Sequence, residues 1–163
     1  MTFPGFSDEE IVALRRTGIA ADGRFVNWAV DALGQGRDSP GLRILAGETP
    51  PFSHFEMQSL VDRTFCELGL TDPQTVEDAL SVLARRLARF VLAGDVDRGA
   101  ALVELRTYYL QFDVPDVLDF YLLHHALADL QSGSQQWYWP GADRSNIDRV
   151  IDDRFRALLD AVV

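Results

Sequence analysis

Two histidines, His124 and His125, stand side by side in an otherwise largely apolar stretch. Neighbours on a helix point about 100° apart, so the two rings do not readily chelate one metal ion together. His125 instead shares a helical face with Asp129 four residues on and with Tyr121 four residues back. A histidine shielded beside a carboxylate or a phenol is suited to general-base work or to holding a ligand. The plainer alternative is a structural histidine with satisfied nitrogens. The third histidine, His54, falls with Glu56 in the first turn of another expected helix, without the His-Glu-x-x-His spacing that binds catalytic zinc.

The most unusual stretch runs from Gln135 to Arg144, where Trp137, Tyr138 and Trp139 precede a Pro140-Gly141 turn and Arg144. Trp, Tyr and Arg dominate interface hot spots, and their flat groups also wall ligand sites. The alternative is a loop folded back as a roof over the core. Three consecutive side chains cannot all point inward, so at least one ring should stay accessible.

Other patterns resolve into ordinary punctuation. Asp95-Val96-Asp97-Arg98-Gly99 begins like a calcium loop but has Gly99, Ala100 and Arg106 at positions 5, 6 and 12, so a helix cap at Asp95 or Asp97 explains it. Gly34-Gln35-Gly36 follows a helix and lacks the third glycine of a dinucleotide loop. An anion held by Arg37, Arg43 and the free N–H groups behind Ser39 is a weaker option. Arg85, Arg86 and Arg89 form a basic cluster expected to meet carboxylates of a neighbouring helix. Asp113, Asp116, Asp119, Asp148, Asp152 and Asp153 read as a solvated acidic face. No Glu-x-x-His pair supports a di-metal bundle, and no cofactor is expected.

Composition narrows the chemistry further. All 15 basic residues are arginine, so lysine Schiff bases and the phosphate-loop lysine are excluded. A net charge of −10 and a pI near 4.6 argue against nucleic acid and anionic membranes as partners. The single cysteine, Cys66, sits between Phe65 and Leu68 on an apolar helical pattern and is expected to be a buried, inert thiol. No basic start with an apolar run marks a signal peptide, and no run of 18 apolar residues marks a membrane span, so a soluble cytoplasmic protein is expected.

The elements that must position these groups are helices. Ser7-Asp8-Glu9-Glu10 and Ser53-His54-Phe55-Glu56 are capping-box patterns, and Ser39-Pro40 places a cap before a first-turn proline. Further starts fall at Asp22, at Asp72-Pro73, near Asp97, at Pro115 and at Ser145, with Gly18, Gly34, Gly47, Gly69 and Gly94 as stops. The apolar stripes follow the 3.6 period. The expected fold is all-α, a single-domain bundle (residues 1–163) of about eight helices. Segment 116–130, apolar almost all round, is its central buried helix.

The function these features favour is non-catalytic: an acidic helical protein that binds another protein, such as an inhibitor or immunity-type partner of a basic bacterial protein. The contact would be an acidic face with the Trp137–Arg144 loop. The competing reading is an enzyme or small-ligand binder whose pocket lies between the central helix and the loop, using Tyr121, His125, Asp129 and Arg144. A homo-oligomer with the aromatic loop as self-interface is the third.

Overall fold

Serine and aspartate at the helix starts set the architecture, because their side-chain oxygens accept the backbone N–H groups that the first turn leaves free. The computed structural model describes residues 5–19, 22–71 and 75–161. Among them are eight α-helices and no strand: α1 (Asp8–Thr17), α2 (Gly23–Gly34), α3 (Pro40–Ala46), α4 (His54–Leu68), α5 (Val76–Ala93), α6 (Arg98–Phe112), α7 (Leu118–Ser132) and α8 (Ile147–Asp160). The fold is all-α, as the periodicity indicates. No helix among these residues is long and apolar enough to cross a membrane.

Ser7, Asp22, Ser39, Ser53 and Asp97 each accept a backbone N–H at the start of their helix. Three expected starts differ in detail. Asp72-Pro73 lies outside the described residues. α5 opens at Val76 behind Thr75, whose hydroxyl accepts from the Asp78 N–H while the Asp78 carboxylate accepts from the Thr75 N–H. Pro115 begins a 3-10 turn, Pro115–Val117, that leads into α7. Asn146, and not Ser145, holds the N-cap position of α8, without a side-chain bond to the helix; the Ser145 hydroxyl donates to Asp143 instead.

Contacts group the residues up to Leu83 and those from Ala84 onward into two compact units, the division falling within α5. In the first, α2 and α4 pack through the edge-on rings of Trp28 and Phe65, 5.5 Å apart, and α3 packs against both helices. The α3–α4 approach is close enough to require glycine. A Cβ on Gly41 would lie 2.8 Å from a Glu67 oxygen and 3.2 Å from the Thr64 backbone. The Gly41 N–H donates to that Glu67 carboxylate at 2.6 Å. The anion at this helix start is thus the protein's own Glu67. Arg37 and Arg43, which the sequence offered to an external anion, pair with Asp8 and Asp38.

In the second unit α7 packs against α6 and α8, with Phe120 stacked on Phe155 at 4.8 Å. Phe120, Leu123, Ala126 and Leu130 are buried, and within 118–130 only Ala128 is exposed. The acidic face expected on α8 is partly neutralised, since Asp152 pairs with Arg98, Asp153 with Arg156, and Asp119 of α7 with Arg154. Arg85 donates to the Ala161 carbonyl at the end of α8, and Arg86 is 2% exposed with its guanidinium over the Phe90 ring.

Cys66 corrects the expectation of a buried thiol. It is exposed, because α4 buries Met57, Val61, Thr64 and Phe65, and Cys66 is turned about 100° from Phe65. It should react stoichiometrically with a thiol reagent in native buffer, whereas a buried thiol would react only after denaturation. Glu67 is held below the usual carboxylate range by the Gly41 N–H, then the Ser39 hydroxyl and Arg63. A depressed carboxylate stabilises the fold above its unfolded pKa and loses that effect as pH falls through the folded one. Glu67→Gln should therefore lower Tm at pH 7, and the gap to wild type should close as pH drops below the ordinary carboxylate range; thermal melts from pH 7 to pH 3 check this.

Candidate functional site

The candidate residues meet in the second unit, where the segment after α7 returns toward it. A single side chain, Gln136, organises that segment. Its amide oxygen accepts from the Tyr138 and Trp139 N–H groups at 2.9 and 2.8 Å. Its amide nitrogen donates to the Trp139 and Ala142 carbonyls at 2.6 and 2.9 Å. One primary amide thus serves two donors and two acceptors of its own loop. The turn beyond is closed by Asn146, which donates to the Gly141 carbonyl and accepts from the Asp143 N–H. Gly141 takes a left-handed φ of 78°, which suits glycine in this Pro-Gly turn. The Ser145 hydroxyl and N–H, both donating to Asp143, hold its carboxyl below the usual range.

Arg144 has a mainly architectural place. Its Nε donates to the Leu130 carbonyl at 2.7 Å and so satisfies one of the free carbonyls in the last turn of α7. The three aromatic side chains then diverge. Trp139 is half-buried, Tyr138 is 41% exposed and Trp137 is 85% exposed.

Tyr138 lies over the imidazole of His125, with ring centres 5.0 Å apart and planes 29° from parallel. Tyr121 meets the same imidazole edge-on at 4.7 Å, and Tyr109 of α6 continues the row at 4.9 Å from Tyr121. The structure therefore brings together Tyr121, His125 and Tyr138, which the helical spacing had joined only as Tyr121 and His125. It does not join His125 to Asp129, for no hydrogen bond links them. The His125 Nε2 is sealed from solvent without a hydrogen-bond partner, so His125 is not the satisfied structural histidine of the plain reading. His124 has a pKa held below the ordinary histidine value, by burial first and then by the positive fields of His125 and Arg106.

No group of three potential metal ligands gathers among the described residues. Two concavities lined by described residues belong to the first unit. One of about 630 Å³ is bordered by Ser7, Asp8, Trp28, Asp31 and Arg37; one of about 440 Å³ is bordered by Glu48, Phe52, Glu56 and Leu60. His125 and the aromatic loop line neither. The face of His125 that a pocket between α7 and the loop would use is the face that Tyr138 covers.

Gln136 is the residue that sequence reasoning missed. A glutamine three residues before the last of the aromatics carries no periodic signal; only its ability to mimic two backbone strands of hydrogen bonds marks it. Replacing it by leucine removes four hydrogen bonds worth about 0.5–1.5 kcal/mol each. Gln136→Leu should speed amide exchange at Tyr138 and Trp139 by at least tenfold, with helix content unchanged in circular dichroism.

No family model matches this chain, nor does any curated protein or solved structure.

Proposed function

We propose that this chain is a binding protein that engages another protein through the Trp137–Arg144 loop, with Trp137 as the anchor. One observation carries the reading: an indole 85% in water stands on a loop whose backbone is already fixed by Gln136, Asn146 and Arg144. Burying a Trp side chain removes roughly 150–250 Å² from water, worth on the order of 4–6 kcal/mol before association costs. A preordered loop loses little further entropy on docking. Its Gln136 and Asp143 polar groups already serve the loop itself, which favours an apolar anchor over polar ligand recognition.

The partner is a basic protein. A net charge of −10 accelerates encounter with a positive surface and disfavours acidic competitors. An inhibitor or immunity-type role toward a basic bacterial protein is the specific form of this proposal. A ligand pocket at Tyr121, His125 and Asp129 would need Tyr138 to swing off the imidazole and Asp129 to gain a contact with His125, and no observation favours that rearrangement.

The test compares wild type with Trp137→Ala. The side chain is almost wholly solvated, so the variant should fold with unchanged circular dichroism. A protein captured by wild type, then measured with purified components, should bind the variant about 30-fold or more weakly, a hot-spot loss of about 2 kcal/mol. Its affinity for wild type should also fall as salt rises. A partner that ignores both changes overturns the proposal. So does a wild-type dimer in sedimentation that Trp137→Ala dissociates, which would make the loop a self-interface.

A further inference from the structure

The first unit holds thirteen of the chain's 25 acidic residues but only six of its 15 arginines. Ion pairs there join Arg15 with Asp62, Arg24 with Asp22, Arg37 with Asp8, Arg43 with Asp38 and Arg63 with Glu67. Two carboxylates that have no ion pair or hydrogen bond among the described residues, Glu48 and Glu56, border one groove of about 440 Å³. Its remaining lining residues are Pro51, Phe52, Ser53, Met57 and Leu60, and no arginine or histidine lines it. Phe55, next to Glu56 at the start of α4, is 79% exposed.

Comparison of two helix starts sharpens the point. Ser7 and Glu10 close a full capping box, with the Glu10 carboxylate accepting from the Ser7 N–H at 2.9 Å. Ser53 and Glu56 have the same spacing, and Ser53 accepts from the Glu56 N–H, but the return bond does not form. The Glu56 carboxylate is free of that duty.

We propose that this groove receives an arginine- or lysine-bearing apolar segment of a basic protein partner. The cationic head would meet Glu48 and Glu56, while its aliphatic stem and an apolar neighbour lie along Phe52 and Leu60. Charge complementarity commits the site to a cation: two uncompensated carboxylates beside Phe52 and Leu60 repel anions and give a neutral apolar segment no reason to seat there. This inference stands apart from the loop reading, since it uses no residue of the Trp137–Arg144 segment.

The probe is a fluorescein-labelled hexapeptide of alternating leucine and arginine, titrated with the full chain by fluorescence anisotropy near physiological salt. Glu48→Gln with Glu56→Gln should weaken binding at least tenfold. Glu77→Gln with Asp95→Asn, an equal change in net charge at exposed sites outside the groove, should change it less than twofold, as should Trp137→Ala. A peptide with glutamate for arginine should not bind. Equal losses in the two double variants would reduce the effect to bulk charge and overturn the groove. Absence of binding to wild type overturns it as well. Loss with Trp137→Ala alone would reassign the peptide to the loop.

Discussion

Short helices carry a structural obligation at both ends, because each leaves four N–H groups and four carbonyls without partners inside it. Among the described residues eight helices of 7 to 18 residues multiply that obligation, and most of the polar architecture described above answers it. Hydroxyls and carboxylates serve the N-terminal ends, from Ser7 to Asp97, and Glu67 reaches across from α4 to serve α3. Left-handed glycines end α1 and α4, at Gly18 and Gly69. At two later ends an arginine does the work: Arg144 on the Leu130 carbonyl and Arg85 on the Ala161 carbonyl. A guanidinium suits that task, since it offers several donors in a fixed plane and never loses its charge.

The same constraint explains what the sequence disclosed and what it withheld. A cap acts within four residues of itself, so Ser7, Asp22, Ser39, Ser53 and Asp97 were legible as helix starts, and the 3.6 period exposed the buried faces. The all-helical fold follows from those local signals. Interactions across helices were not legible. Nothing near Glu67 in the chain announces Gly41, and nothing near Arg85 announces a carbonyl 76 residues on. Cys66 was misjudged because an apolar neighbour at Phe65 says little about a side chain one position round the helix. At the candidate site, the Tyr121–His125 contact was readable as an i, i+4 pair, but Tyr138 on His125 depends on how a loop returns, and that return is set by Gln136.

Electrostatics separates residues that hold the fold from residues left over. Exposed ion pairs contribute only about 0–1 kcal/mol each, so the stability of either unit rests on its apolar interior. The pairs matter here for another reason. By matching most arginines to carboxylates they leave the chain's excess negative charge at particular positions, and Glu48 and Glu56 are two of them. Hydrogen bonding performs the same sorting in the aromatic loop, where Gln136, Asp143, Arg144 and Asn146 are engaged and Trp137 is not. In both places the groups that the fold has no need of are the ones that face outward.

The contrast between Trp28 and Trp137 has a spectroscopic consequence. Trp28 is 2% exposed, with its N–H on Asp8 and its ring against Phe65, whereas Trp137 is 85% exposed. The first unit thus carries one sealed indole, and the second carries a solvated one beside half-buried Trp139. Their fluorescence should separate into a blue emission that acrylamide scarcely quenches and a red emission that it quenches freely. Unfolding of the first unit and coverage of the loop would then appear at opposite edges of one spectrum, without any label added to the protein.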